Sequence, residues 1–250
     1  STPITFAFLG RDIVLVQKET GEWDVPGGKI EPAEGWLDAT RREAYEEAGV
    51  HINNIETVGY VVAKNMGNTE EAQYPAENIL PVTISFVAEV DSKWQLRETI
   101  ARSAVHAKEA RVLLKERDDN GQLLEIFEYV MSLLDSDAYE DEFTFHENGA
   151  FANIPTTQAM ILCRNKEGDY CIVRDFDEDF FSLPGGGCVL GEGDEECIIR
   201  ETREEAQLSV RNLERIAVVV VSLKKDARVI CQTKHVRFLA DVDVMCEFVP

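Results

Sequence analysis

Two stretches of this chain, 158 residues apart, carry nearly the same pattern of glycines and charges. The first runs from Gly28 as GKIEPAEGWLDATRREAYEEAGV, the second from Gly186 as GGCVLGEGDEECIIRETREEAQL. Each has Gly, then Glu six residues on (Glu34, Glu192), then Arg-Glu (Arg42-Glu43, Arg200-Glu201), then Glu-Glu (Glu46-Glu47, Glu204-Glu205). At average residue frequencies, the seven fixed positions of the first copy, these six and Gly49, match a given window with odds of roughly 10⁻⁸. A repeat of this quality predicts two structural units, each built around one copy.

The flanks repeat as well. ITFAFL, the turn GRD and IVLVQK read as a hairpin, with TQAMILC, NKEGD and YCIVRD as its counterpart. Trp23-Asp24-Val25-Pro26-Gly27 is matched by Phe181-Ser182-Leu183-Pro184-Gly185. A helix is expected over residues 35–48, followed by apolar strands from Ile55 and from Val82. The second half has the corresponding strands from Leu213 and from His235. Past Val90 the first half continues with a helical segment, a short strand at 110–114 and a helix over 123–134, where Leu123, Ile126, Phe127 and Val130 recur at helical spacing. The second half has no counterpart to that last strand and helix and is expected to be short at its C-terminal side. Residues 135–147, DSDAYEDEFTFHE, hold six acids and neither Lys nor Arg. This predicts a solvated acidic linker within 135–155, pinned by Phe143 and Phe145, between a first domain at 1–134 and a second at 156–250.

A formal charge of −22 makes nucleic-acid polymers and anionic membranes poor partners. No apolar run approaches a membrane span, and the opening STPITF lacks a secretory pattern, so a cytoplasmic protein is expected. All six cysteines lie in the second half, without a CxxC pair and without His at zinc spacing. Cys163 and Cys171 flank the turn NKEGD, either as two buried thiols or facing each other across the hairpin.

On the predicted helix Glu43, Glu46 and Glu47 stand at i, i+3 and i+4, within a stripe roughly 100° wide. Like charges so placed repel unless a cation sits among them, and a dense set of hard oxygen donors suits Mg²⁺ or Mn²⁺. Arg42 and Arg200 each precede a stripe carboxylate by four residues and are expected to hold it in place. Leu37, Ala44 and Ala48 are expected to face the sheet. Gly49 is placed to end the first helix in a left-handed cap, where the second copy has Gln207 at a cost of about 1 kcal/mol.

The pattern resembles the Nudix box, GX5EX7REUXEEXGU with U aliphatic. The first copy fits at Gly28, Glu34, Arg42, Glu43, Glu46, Glu47 and Gly49; the second departs at Gln207, and Ala44 and Thr202 are poor choices for the inner U. The chain is therefore similar to a tandem Nudix protein. The resemblance implies two α/β/α sandwiches with mixed sheets, the second lacking the C-terminal strand and helix. It implies Mg²⁺ or Mn²⁺ held by Gly28, Glu43, Glu46 and Glu47, and again by Gly186, Glu201, Glu204 and Glu205. It also implies hydrolysis of the pyrophosphate in a nucleoside diphosphate linked to some group X, a small-molecule substrate, with room for a homodimer. Catalysis is expected from Glu46, Glu47 and Arg42. A base outside the box is drawn from Glu98 and Glu109, or from Glu70, Glu71 and Glu77, with Glu109 preferred because it precedes the predicted final strand. Otherwise a box Glu serves. The loop over 64–81 is expected to read the substrate, with Tyr74 stacking on a base. The subfamily marks for ADP-ribose and for diadenosine polyphosphates are missing at Asn65-Met66 and at Gly67-Asn68. The other reading is a Nudix-like nucleotide sensor with little or no hydrolysis.

Overall fold

The computed structural model describes residues 3–64, 77–95, 99–117, 121–147, 151–174 and 181–242. In chain order the elements are β1 (Ile4–Leu9), β2 (Asp12–Gln17), β3 (Trp23–Asp24), α1 (Trp36–Ala48), β4 (Val50–Lys64), β5 (Glu77–Val90), β6 (Ala101–Val105), α2 (Ala107–Arg117) and α3 (Gln122–Leu134). They continue as β7 (Tyr139–His146), β8 (Thr156–Arg164), β9 (Val173–Arg174), β10 (Phe181–Ser182), β11 (Gly185–Gly187), α4 (Asp194–Ala206), β12 (Val210–Lys225) and β13 (Arg228–Val242). The chain divides into two compact units, Ser1–Glu140 with Lys224–Cys231, and Asp141–Leu223 with Gln232–Pro250. Among the described residues, no helix is long and apolar enough to cross a membrane.

In the first unit the strand order is β3-β2-β1-β5-β4, with β6 also paired to β2. β1 runs antiparallel to β2 and parallel to β5, with Phe6 opposite Ile84, so the sheet is mixed. Thr5, Phe6, Ala7 and Phe8 are all buried. Both faces of β1 are thus covered, as in a sheet between helices. On one face the Phe6 ring lies 6.1 Å from that of Phe127 on α3.

The second unit has the order β11-β8-β13-β12-β7, and β8 again runs parallel to the later strand β13. Here β8 alternates, with Ala159, Ile161 and Cys163 buried and Met160 and Leu162 only half-buried. A sheet packed on one face reads this way. The core is completed by Cys197 and Ile198 of α4 and by Val236, Phe238 and Ala240 of β13. Among the described residues α4 is the single helix of this unit. β12 and β13 join through Asp226 and Ala227, both at positive φ, the two-residue turn that matches strand twist.

Several expectations are corrected. The acidic stretch at 135–147 is not a solvated linker throughout, because Tyr139–His146 forms the edge strand β7 beside β12. Phe143 and Phe145 are each 64% exposed and pin nothing. The strand expected at 110–114 lies within α2, whose sequence AKEARVLLKER consists mostly of strong helix formers; the strand is instead Ala101–Val105. Among the described residues YCIVRD does not form a regular ladder with β8: Tyr170 bridges to Arg164 and the Cys171 N–H donates to Cys163 O at 3.0 Å, and the glycines of β11 pair further along, Gly185 opposite Met160. β5 begins at Glu77, so part of the expected 64–81 loop is strand.

Candidate functional site

α1 starts at Trp36 after an extended Gly35 and ends at Gly49, whose φ of 62° places it in the left-handed region. The Gly49 N–H donates to Tyr45 O at 2.8 Å. A Cβ on Gly49 would also lie 2.5 Å from Trp94 Cγ and collide with the Arg102 guanidinium. Gln207 ends α4 in the same conformation, with φ 55°, and its N–H donates to Arg203 O at 3.1 Å. The departure from glycine is therefore absorbed as strain, not as a different helix end. Gly49→Ala is expected to cost about 2–4 kcal/mol, from the left-handed backbone plus overpacking, whereas Gln207→Gly is expected to gain about 1 kcal/mol. Urea unfolding of the two variants checks both signs.

The stripe sits on this helix as the spacing requires. Glu43 and Glu47 are 5% and 3% exposed, while the Glu46 side chain is half open. Arg42 organises them. Its Nε and Nη2 donate to the two oxygens of Glu34 at 2.9 and 3.0 Å. Its Nη1 donates to Glu43 Oε1 and to Glu46 Oε2, each at 2.8 Å, and Nη2 also reaches Lys29 O at 2.9 Å. All five N–H groups of the guanidinium are thereby used. The Arg42 pair holds the Glu34 carboxyl below its ordinary range. Burial pushes the Glu43 carboxyl up, against the pull of Arg42 and with the push of Glu47 and Glu46. One guanidinium thus faces three carboxylates, and negative charge remains unbalanced on the stripe.

Glu47 accepts from the Gly27 N–H at 2.8 Å and pairs with Lys18. A Cβ at Gly28 would fall within 2.5 Å of Glu43 Oε2, so only glycine lets the backbone approach that carboxylate. Asp38, four before Arg42, is not its partner; it lies 3.6 Å from Arg41 instead. Leu37, expected on the sheet side, is 36% exposed, while Ala39, Ala44 and Ala48 are buried.

The second copy reproduces this frame with every number raised by 158. Arg200 donates from Nε and Nη2 to Glu192 at 2.9 and 2.8 Å, from Nη1 to Glu201 at 2.6 Å and Glu204 at 3.1 Å, and from Nη2 to Gly187 O at 3.0 Å. The Gly185 N–H donates to Glu205 Oε2 at 2.8 Å, and a Cβ at Gly186 would meet Glu201 Oε2 at 2.6 Å. The differences lie around the frame. Glu205 is exposed where Glu47 is buried. Glu196 turns back to the Gly193 N–H at its own helix start.

A sequence model of the NUDIX domain matches residues 4–126 and 155–244, well over half of the chain. The chain belongs to the NUDIX family. No curated protein sequence matches it significantly. Among solved structures it is similar to the pyrophosphohydrolase BsRppH of Bacillus subtilis, with 16% identity over 44% of this chain and 65% of that one, at a TM-score of 0.35. It is similar to an Ap4A hydrolase of C. elegans, with 16% identity over 54% and 98% and a TM-score of 0.40. It is also similar to a NUDIX hydrolase from Nitrosomonas europaea, with 16% identity over 52% and 87% and a TM-score of 0.44.

Outside the Nudix boxes the sequence-derived candidates fare differently. Glu109 is exposed in the first turn of α2, not ahead of a strand. It lies in the field of Asp12, whose carboxyl is pushed up by burial, pulled down by His106 and pushed up again by Glu109. Tyr74, Glu70, Glu71 and Glu98, with Asn65, Met66, Gly67 and Asn68, lie outside the described residues, and for Glu77 only the backbone is described.

One feature escaped the sequence reading. Cys188 and Cys197 form a disulfide with Cα atoms 5.3 Å apart, while Cys163 and Cys231 are buried and Cys171 is half-buried. Cys188 directly follows β11, and Cys197 lies in the first turns of α4. The first copy has Ile30 and Ala39 at the matching places, so the repeat itself held the signal.

Proposed function

We propose that this chain is a divalent-metal-dependent pyrophosphohydrolase, cutting the pyrophosphate of a nucleoside diphosphate linked to X, with the first box as the working centre. The observation that carries the reading is the Arg42 frame. It gathers Glu34, Glu43 and Glu46 around one cation and leaves net negative charge beside a backbone that only Gly28 lets so close. The donors are all oxygen, the chemistry that suits Mg²⁺ or Mn²⁺. Glu43, Glu46, Glu47 and the Gly28 carbonyl would hold the ion, and Gly186, Glu201, Glu204 and Glu205 would do so in the second copy. A bound ion would neutralise phosphate oxygens and lower the pKa of water. Arg42 fixes Glu43 and Glu46 at their oxygens, and the Gly27 N–H and Lys18 fix Glu47. Glu46, the more open carboxylate, is assigned to receive the proton of the attacking water. The first box is preferred because its third carboxylate is buried and anchored and its helix ends on glycine.

The test is incubation with Mg²⁺ or Mn²⁺ and a panel of nucleoside triphosphates, dinucleoside polyphosphates and nucleotide sugars. A mononucleotide with phosphate or X-phosphate is expected, and EDTA is expected to stop its release. Tight binding of a panel member without turnover would make the chain a sensor and sink the enzyme reading.

A further inference from the structure

We propose that Cys188 and Cys197 are a thiol–disulfide switch that sets how firmly the second box holds its Gly-rich loop. The bond ties the residue after Gly185–Gly187 to α4 across a sequence separation of 9. Partners of Arg200 lie at and within that ring. Gly187 O lies just before it and accepts from Arg200 at 3.0 Å. Glu192 sits within it, giving both oxygens to Arg200 while accepting the Val189 N–H at 2.9 Å. The Glu192 N–H in turn donates to Val189 O at 2.8 Å. The first box makes the same frame with Ile30 and Ala39 and no covalent tie. The bond is therefore not needed to form the frame, and its opening changes rigidity instead of destroying the fold. In a reducing compartment, such as the cytoplasm expected from the sequence, protein disulfides are mostly transient or redox-sensing.

The surroundings suit reversible exchange. Cys188 is half-buried, whereas Cys197 is fully buried. An external thiolate attacks Cys188 Sγ, forming a mixed disulfide there and breaking the bond to Cys197. The departing Cys197 thiolate lies 4.0 Å from Arg200 Nη2, a cation placed to receive it. A second external thiolate then attacks the sulfur of the external thiol in the mixed disulfide and releases Cys188. Two electrons pass to the protein, two protons complete its thiols, and the external pair leaves as a disulfide. Reoxidation by a small-molecule disulfide reverses each step.

Any effect on metal binding rests on the function proposed above; the effect on the loop does not. The full chain is equilibrated with oxidised or reduced glutathione, and the bond is scored by differential alkylation and mass spectrometry. Amide hydrogen exchange is then read over 186–192 and, as an internal control, over 28–34. Reduction is expected to speed exchange at Val189 and Glu192 by about tenfold or more and to leave the first box unchanged. The double variant Cys188→Ile, Cys197→Ala, which installs the first copy's residues, is expected to lose all response to the redox state. Mn²⁺ titration in a Glu46→Gln background is expected to show weaker binding on reduction. Unchanged Mn²⁺ affinity with altered exchange would uphold the switch and remove only its coupling to metal binding. Exchange indifferent to a bond that demonstrably opens would overturn the switch, as would failure of the bond to form in oxidised glutathione. Retention of one equivalent of Zn²⁺ by the reduced protein would also overturn it, since Cys188, Glu192 and Cys197 lie within 4.8 Å of one another.

Discussion

Replacing Arg42 by alanine is expected to destabilise the first unit by about 2–3 kcal/mol, the scale for charged hydrogen bonds lost from a partly buried cluster. Arg42 is the hub of three carboxylates, and its side chain is only 22% exposed. Without it, Glu43 stays buried next to Glu46 and Glu47 with no opposing charge from that side. Arg42→Lys is expected to recover little, because one ammonium cannot grip Glu34 through two parallel bonds and reach Lys29 O as well. The sign with pH follows from Glu34. Its pKa is depressed in the folded protein, so its pairing stabilises above the ordinary value of 4.5 and is lost as pH falls through the folded value. The gap between wild type and Arg42→Ala should therefore narrow in acid. Urea unfolding in EDTA at several pH values measures this. A loss no larger than that of an ordinary surface arginine would show that the frame is decorative.

Glu46→Gln is expected to lower turnover by about 10²–10³-fold, the range for removing one group that acts on developing charge. Stability should hardly change, because the side chain is 39% exposed and an amide oxygen still accepts from Arg42. Glu204→Gln is expected to leave most of the turnover intact. The two variants are compared by kcat in Mg²⁺ and by thermal unfolding in parallel. Full activity in Glu46→Gln with loss in Glu204→Gln would move the working centre to the second box.

The boxes were legible because their chemistry is local: Arg42, Glu43, Glu46 and Glu47 share one helix, and helical periodicity alone sets their directions. The partner of that arginine was harder to read. Glu34 lies before the helix starts, where 3.6-residue spacing no longer applies, and Asp38, four residues before Arg42 on the helix itself, lies 3.6 Å from Arg41. β7 was hidden for another reason. Its edge position leaves Asp141, Phe143 and Phe145 all open to water, so no alternation of buried and exposed residues marks it as a strand. β11 consists of three glycines and has no side-chain pattern to read; it is specified by β8, its partner. The 110–114 segment is the opposite case: Val112 to Leu114 form a short apolar run, yet the helix formers around them hold the segment in α2.

The matched frames also bear on selectivity. Arg42 and Arg200 spend the same donors on the same partners, so a reagent shaped to that frame would find it twice in one chain. An inhibitor meant for one box has to read what lies around the frame. It would need to sense whether the last carboxylate is sunk beside a lysine, as Glu47 is beside Lys18, or open to water, as Glu205 is.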